Sequence, residues 1–398
     1  MLTVTETLSQ LQYLRRAWRD LEHRDPQASF FLGHDWLCRV LADSPGRWRI
    51  LTLHDDTDPH RLLCALALRM RVIWNAKPET LQTELDQFGP LGLGQDGGLL
   101  CDPAEEARVL PRLGRVLERM PWVRFALRDA RSPRRARYIA RGLDAGSVRL
   151  RWSATGTDDG PDTGAALRSL TLQGAQDFGL RQRQLRKLIR TERQRLVDTG
   201  PLAIHTRDDE DAIAAVLDIW KSNHARLHGR RGLPKRVENH RNALRILRDT
   251  GQLFMPVLED AGQIVAGVAH AFDRRTGLMH VLVPGHDGIG APSPTGLILH
   301  AHAIASARKE GLRTYELGRE LNAIADLFDA DALPTISMIA DRRGGLDRQD
   351  LLDPACIGIA ADKIEAMSSD GRKRAARAAL AHLDRVTKGW MSDLHRAG

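Results

Sequence analysis

Residues 278–318 read LMHVLVPGHDGIGAPSPTGLILHAHAIASARKEGLRTYELG, and the fold of the second half of the chain follows from them. The pattern predicts a strand at 278–283, a loop rich in Gly and Pro, a helix from about Pro294 to Glu310, and a strand at 313–317. A strand, a helix and a strand in this order form a βαβ unit with parallel strands and a right-handed crossover. We therefore predict an α/β fold with a mixed sheet.

The start of the predicted helix has the composition of an anion site. Ser293 is a natural N-cap, and Pro294 occupies the first helical position, where a missing N–H costs nothing. The amides of the next three residues are expected to point out of the helix start, where the helix dipole favours negative charge. The predicted donor-phosphate residues are Ser293, Thr295, Gly296 and Leu297, with Gly290 in the covering loop.

Two strands precede this unit, at 253–258 and 263–272. The tight turn Asp260-Ala261-Gly262 joins them, so they are expected to form an antiparallel hairpin. A sheet that runs antiparallel and then parallel around one phosphate-type helix start resembles the core of the GNAT acyltransferases. In that family the pyrophosphate of acyl-CoA lies at this helix start.

The chain is more specifically similar to the cellulose-biosynthesis type of acetyltransferase, a GNAT branch with two tandem GNAT-like halves that is related to the Fem-type transferases. The motifs that carry the resemblance are Trp18, Leu21, Phe30 and Trp36-Leu37, the basic helix Arg186–Arg195, the hairpin residues Gly251–Leu253 and Ile264–Gly267, the helix start Ser293–Leu297, Gly311, and the strand Tyr315–Glu320. The likeness extends over most of the chain and is strongest over residues 178–320.

Some residues depart from the family pattern. A Tyr-Lys pair usually follows the last acidic residue, whereas this chain has Leu321-Asn322-Ala323-Ile324. Glu316 stands where the family has Asp, and the usual Q/R-x-x-G-x-G/A loop is absent as written. These departures leave the acceptor, the catalytic base and the use of CoA open.

The resemblance implies a set of catalytic candidates at the splayed ends of the two parallel strands. GNAT chemistry needs a base for the amine, an acid for the leaving thiolate and donors for the oxyanion. Glu316 and Glu320 are the candidates for the base, His280 is expected to reach the same cleft, and Tyr315 is a candidate acid. Structural roles remain open for each, such as an ion pair of Glu316 with Arg313. His300 and His302 are expected to face away from the cleft.

The chain is predicted to contain two tandem GNAT-like domains. Residues 153–164 (SATGTDDGPDTG) have the composition of a linker. We assign residues 1–160 to an N-terminal domain that shapes the acceptor cleft, 166–345 to the domain with the donor site, and 346–398 to a helical extension.

Composition and charge bear on other classes of protein, such as metalloproteins and membrane proteins. The formal net charge is +8, and most of the basic residues are Arg. The four cysteines have neither CxxC spacing nor a His cluster beside them, so we predict no metal site and reduced thiols. The N-terminus lacks a signal-peptide pattern, and charges interrupt every long apolar run. We expect a cytoplasmic protein without membrane insertion.

Three functions remain open. The first is transfer of an acyl group from acyl-CoA to an amine or hydroxyl of a small-molecule or saccharide acceptor. The second is a Fem-type aminoacyl transferase with aminoacyl-tRNA as donor and tRNA as partner, which the basic helix at 181–195 favours. The third is a non-catalytic accessory protein of polysaccharide biosynthesis, which the missing Tyr-Lys pair favours.

Overall fold

The computed structural model describes the chain apart from residues 76–78, 88–96, 156–166, 173–179, 231, 288–292, 319–320, 346–347, 349–350, 368 and 382–398. The chain divides into two compact units. The first comprises Met1–Gly89, Asp96–Ala154 and Thr335–Gly398, and the second comprises Pro90–Gln95 and Thr155–Pro334.

Strands and helices are numbered along the chain. The strands are β1 (Leu2–Thr5), β2 (Trp48–His54), β3 (Leu62–Asn75), β4 (Thr80–Gln87), β5 (Leu100–Cys101), β6 (Arg124–Ala130), β7 (Val148–Thr155), β8 (Leu167–Thr171), β9 (Leu202–Thr206), β10 (Leu253–Phe254), β11 (Pro256–Asp260), β12 (Gln263–Asp273), β13 (Leu278–Gly285), β14 (Thr314–Gly318), β15 (Asp331–Leu333) and β16 (Thr335–Arg342). The helices are α1 (Leu8–Tyr13), α2 (Arg15–Arg24), α3 (His34–Ala42), α4 (Glu106–Arg119), α5 (Pro133–Arg141), α6 (Leu180–Arg193), α7 (Glu210–His228), α8 (Leu233–Asp249), α9 (Pro294–Lys309), α10 (Asn322–Leu327) and α11 (Ile357–Glu365).

The sheet of the first unit is mixed. Its strand order is β1-β2-β3-β4-β6-β16-β7, and β5 pairs with β3. β4 and β6 are parallel, with Leu85 opposite Phe125, and α4 lies between them in sequence. Apolar side chains from the strands and from α4, α5 and α11 form one core cluster.

The second unit is built on another mixed sheet, with strand order β15-β8-β14-β13-β12-β11-β9 and β10 paired with β12. The predicted hairpin is present: Asp260 pairs with Gln263, and the turn residues Ala261 and Gly262 have positive φ values of 47° and 83°. β13 and β14 are parallel and α9 connects them, as predicted. Two mixed sheets confirm the α/β fold class.

The C-terminal region is placed differently from the expectation. We assigned residues up to 345 to the second domain, but β16 pairs with β6 in the first sheet, with Ile339 opposite Ala126. The reason is its alternating pattern, which buries Met338 and Ala340 in the first core. Cys356 and Ile364 join the same core, so the described residues around them belong to the first unit and not to a separate extension. The first unit gives way to the second between Ala154 and Thr155, at the start of the linker-like segment.

The basic helix of the second unit is shorter than predicted. The sequence indicated one basic helix at 181–195, whereas α6 ends at Arg193 and the chain continues as a π-helical turn over Gln194–Asp198. Leu185 is buried in the core that α9 and the sheet share, and Ile189 packs against it. The apolar face of α6 therefore attaches the helix to the sheet on the side of α9.

Candidate functional site

The parallel strands β13 and β14 separate next to His280 and Glu316. These two residues are the last pair in the register of the two strands, although β13 continues to Gly285. β14 then has an irregularity between Glu316 and Gly318 where it pairs with β8. The two parallel strands therefore separate toward their carboxyl ends, beside the start of their connecting helix, where the cleft was predicted.

The start of α9 is capped as expected. The Ser293 hydroxyl accepts a hydrogen bond from the Gly296 amide at 3.2 Å, and Pro294 is the first helical residue. However, the Leu297 amide donates to the Ser293 carbonyl at 2.9 Å. Of the three amides expected to bind an anion, only that of Thr295 is not engaged by the described residues. The prediction that Gly296 and Leu297 offer free amides is therefore wrong, because capping and the first helical hydrogen bond use both.

Gly296 has a different role from the one expected. A Cβ atom at this position would lie 2.7 Å from Nδ1 and 2.8 Å from Cε1 of His286. The absence of a side chain therefore makes room for the His286 ring, which lies directly after β13. A bulky residue at 296 is expected to disturb this packing, so it is not a clean probe of phosphate binding.

His280 and Glu316 form a buried pair. The two residues are opposite each other in the parallel register, and Nδ1 of His280 lies 2.7 Å from Oε2 of Glu316. Both residues have 0 % exposure. The distance is that of an ion pair, but its angles are not those of a hydrogen bond. An imidazole with a carboxylate beside it is the combination that serves as a proton acceptor and the group that orients it.

Tyr315 lies on the opposite side of β14, in a chain of buried polar contacts. Its hydroxyl is 2.9 Å from Nε2 of His270 and 2.6 Å from Nδ1 of His300. His300 Nε2 lies 3.2 Å from Nε2 of His286, and His270 Nδ1 lies 3.0 Å from the Phe254 carbonyl oxygen. The four side chains have 0 % exposure. We call His270, Tyr315, His300 and His286 the histidine–tyrosine chain.

The Phe254 carbonyl sets the direction of every hydrogen bond in this chain. A carbonyl only accepts, so His270 carries its proton on Nδ1 and its Nε2 accepts from the Tyr315 hydroxyl. The same oxygen then accepts from Nδ1–H of His300. In turn, Nε2 of His300 accepts from Nε2–H of His286, so Nδ1 of His286 is an acceptor. These assignments are inferred from the hydrogen-bond network and require every imidazole to be neutral.

Burial keeps these groups uncharged. Desolvation lowers the pKa of His270 and that of His286 to about 4, and it lowers the pKa of His300 well below its usual value. Desolvation also raises the pKa of Tyr315 well above its usual value. Tyr315 is therefore a neutral, doubly hydrogen-bonded residue and not a ready acid for a leaving thiolate.

The structure brings His280 and Glu316 together and places Ser293, Thr295 and Gly296 at the helix start. Glu320 and Gly290, also predicted to belong to the site, lie outside the described residues. His300, which was expected to face away from the cleft, is buried against Tyr315 on the side of β14 opposite to Glu316. The burial of His300 is indicated by helical spacing in the sequence. His300 follows Leu297 by three positions and precedes Ile304 by four, so the three residues share a buried face of α9.

The described residues contain neither a cluster of metal ligands nor a membrane-spanning helix. No group of three or more His, Cys, Asp or Glu side chains is arranged to hold a metal ion there. Among the described helices, none has the length and apolar character needed to cross a bilayer.

Comparison with known proteins identifies the domain that contains this site. Residues 183–325 match the acetyltransferase (GNAT) domain family. The matched range covers β13, α9 and β14. The second unit therefore carries a GNAT-type acetyltransferase domain, and the predicted enzyme class, an N-acyltransferase, is confirmed at this level. No curated protein sequence matches the chain significantly.

Some solved structures are similar to this chain at low sequence identity. FemX is 9 % identical, with a TM-score of 0.54 over 85 % of this chain and 96 % of its own. A tandem GNAT protein from the clavulanic acid biosynthesis pathway is 13 % identical, with a TM-score of 0.47 over 86 % of this chain and 98 % of its own. The C-terminal DUF2156 domain of a putative lysylphosphatidylglycerol synthetase from Agrobacterium fabrum is 11 % identical, with a TM-score of 0.48 over 83 % and 92 %. At these identities the likeness concerns the fold alone.

Proposed function

We propose that the second unit transfers an acyl group from acyl-CoA to an amine, or to a hydroxyl, in the cleft between β13 and β14. The observation that carries the proposal is the buried His280–Glu316 pair, with its 2.7 Å contact, at the point where the parallel strands part. An orienting carboxylate and an imidazole at that point suit the removal of a proton from a nucleophile.

The donor is assigned to the start of α9. The positive end of the helix dipole lies there, together with the Thr295 amide. The hydroxyls of Ser293 and Thr295 are 3.2 Å apart and hydrogen-bond to each other, which leaves one further hydroxyl donor. This set offers hydrogen bonds to one phosphate group, which is a smaller anion site than the sequence predicted but of the same kind.

The reaction then follows from the placement of these groups. The neutral amine attacks the thioester carbon, the C–N bond forms and the C–S bond breaks. The proton of the amine passes to the His280–Glu316 pair, and the CoA thiolate takes up a proton as it leaves. Because both side chains are shielded from water, the electrostatic interaction between them is stronger than it would be at the surface. The acceptor is a small molecule or a saccharide.

The second candidate is transfer from aminoacyl-tRNA. The observation in its favour is the basic surface of α6, where Arg190 and Arg193 are exposed. A non-catalytic role in polysaccharide assembly remains the third candidate, and the departure from the Tyr-Lys motif at 321–324 is its support.

A binding screen followed by an assay distinguishes the three candidates. A ligand that binds only the native state raises the melting temperature, so the protein is heated with acyl-CoAs and with bulk tRNA. Release of free CoA thiol in the presence of a panel of amines then reports transfer. Stabilisation and thiol release with acyl-CoA support the proposal. Stabilisation by tRNA alone favours the second candidate, and neither response favours the third.

A further inference from the structure

The second unit has a groove that the proposed reaction does not use. It lies between α6 and the C-terminal half of α9 and has a volume of about 350 Å³. We call it the α6–α9 groove, and its lining consists of Leu170, Leu185, Arg186, Ile189, Arg190, Arg193, Ala301, Ile304, Ala305, Arg308 and Phe328. The floor is aliphatic apart from the ring of Phe328, whereas the polar lining residues are all arginines.

The arginines repeat along one side of α6. Arg186, Arg190 and Arg193 are spaced by four and three residues, so they lie on one face of the helix, and Arg308 of α9 lines the same groove. Like charges at this spacing repel each other and destabilise a helix. No lining residue among those described is acidic.

Several other arginines of this unit are paired. Arg245 and Arg248 both bind Glu210, and Arg207 binds Asp209 and Glu259. On α6 itself, Glu192 is engaged by Arg195, which is not a groove residue. Within the described part of the chain, Arg190 and Arg308 have no ionic or hydrogen-bonding partner through their guanidinium groups. Arg193 contacts Asp198 at 3.5 Å, an exposed pair that contributes little.

From this contrast we infer that the α6–α9 groove binds an anionic amphiphile, an alkyl or acyl chain that ends in a phosphate or carboxylate. The chain lies along the apolar floor, and the charged end accepts hydrogen bonds from the arginines, whose planar guanidinium matches both head groups. A nucleic-acid strand satisfies the arginines equally well, but it leaves the aliphatic floor uncovered. The floor therefore favours the amphiphile. This inference does not depend on the proposed acyl transfer.

Dodecyl phosphate and dodecanoate, both kept below their micelle concentrations, are suitable probes for calorimetric titration. We expect each to bind the full-length protein. The probe with the lower dissociation constant identifies the head group that the groove prefers. Inorganic phosphate, which lacks the chain, and dodecyl maltoside, which lacks the charge, are each expected to bind at least tenfold more weakly, a difference of about 1.4 kcal/mol. Equal binding of either partial probe would overturn the inference.

Two kinds of variant locate the site. Arg190→Glu combined with Arg308→Glu reverses the charge of the rim, and Ala305→Trp places a bulky ring in the groove from an exposed position. Each is expected to weaken dodecyl phosphate binding tenfold or more, again about 1.4 kcal/mol. Arg195→Glu combined with Arg274→Glu makes the same change in net charge away from the groove, and Ala305→Ser keeps the space. Both controls are expected to bind as the wild type does.

Circular dichroism checks that all variants are folded. Binding that survives both groove changes contradicts the inference, and so does equal weakening by the charge control. Binding of bulk tRNA that is lost in the rim variant, together with no binding of either dodecyl probe, would also overturn it and assign the groove to nucleic acid.

Discussion

His300 Nδ1 lies 2.6 Å from the Tyr315 hydroxyl, and this contact joins α9 to β14 in the interior of the second unit. The same hydroxyl donates to His270, so one oxygen satisfies two buried imidazoles. Because a buried polar group without a partner is costly, this oxygen links α9 to the strands β12 and β14.

Tyr315→Phe is expected to destabilise the second unit. The substitution removes the hydroxyl and leaves Nε2 of His270 and Nδ1 of His300 without that partner, at a cost of about 1–3 kcal/mol for each buried group. Urea unfolding measures the loss. Tyr13→Phe is the matched control, because Tyr13 is 81 % exposed and its hydroxyl is solvated. Equal stability of the two variants would show that the histidine–tyrosine chain contributes nothing.

The stability of the second unit is expected to fall in mild acid. The pKa values of His270 and His286 are lowered to about 4 by burial, whereas an unfolded histidine has a pKa of about 6.5. Between these values the unfolded state binds more protons than the folded state. The contribution of these histidines to the free energy of unfolding is therefore fully present above about pH 6.5. It is lost as the pH falls toward 4, by at most about 1.4 kcal/mol per pH unit for each histidine.

Urea unfolding from pH 4 to pH 7 measures this slope. The variant His205→Gln serves as the control, because the side chain of His205 is 53 % exposed and the substitution is expected to leave the slope unchanged. A stability that does not vary over this range would contradict the neutral assignment of the chain.

A buried ionic cluster is expected to stabilise the first unit. Arg135 contacts Asp25 at 2.8 Å and Glu106 at 2.7 Å, and all three side chains are at most 3 % exposed. Arg135→Met leaves two carboxylates without this partner, a change expected to cost about 3–5 kcal/mol. Arg134→Met is the control, because Arg134 is paired with the same Glu106 but is 62 % exposed. Its loss is expected to cost about 0–1 kcal/mol.

Urea unfolding followed by a probe in the first unit separates the two effects, since a chain of two units need not unfold in one step. If Arg134→Met lowers the free energy of unfolding as much as Arg135→Met does, the stabilising role of the buried cluster is contradicted.

Thr295→Asp is expected to separate donor binding from stability. A carboxylate in the first turn of α9 interacts favourably with the helix dipole, so the melting temperature without ligand is expected to stay level or rise. The same charge repels a phosphate, and the dissociation constant for acyl-CoA is expected to rise tenfold or more, about 1.4 kcal/mol. Gln263→Glu adds one negative charge at an exposed position of β12 and is the control. Normal donor binding by Thr295→Asp would place the phosphate elsewhere.

The sequence was sufficient for the features that depend on local chemistry. Ser293 and Pro294 predicted the helix start, and Asp260-Ala261-Gly262 predicted the hairpin, because caps and tight turns depend on a few adjacent residues. The placement of β16 was not predictable in this way. Its apolar alternation indicates a strand, but which sheet accepts the strand depends on contacts with residues about 200 positions earlier in the chain, such as Ala126.

The site was predicted only in part for the same reason. His280 and Glu316 were both candidates, since each lies in one of two parallel strands next to the cleft. Their contact depends on the register of β13 against β14, which the sequence does not state. The histidine–tyrosine chain was missed because it joins residues from β12, the end of β13, α9 and β14, and its signal in the sequence is only the buried spacing around His300.

The central claim is that the His280–Glu316 pair accepts the proton of the nucleophile during acyl transfer, and turnover of Glu316→Gln tests it most directly. Release of CoA thiol is measured with saturating acyl-CoA and amine, next to the affinity for acyl-CoA alone. We expect turnover to fall by about 10²–10⁴-fold with donor affinity unchanged, because the amide keeps the shape of the side chain but lacks the negative charge that stabilises a protonated imidazole. Glu310→Gln, an exposed change at the end of α9, is expected to behave as the wild type. Wild-type turnover by Glu316→Gln, or no thiol release by the wild-type protein with any acyl-CoA and amine, would contradict the account.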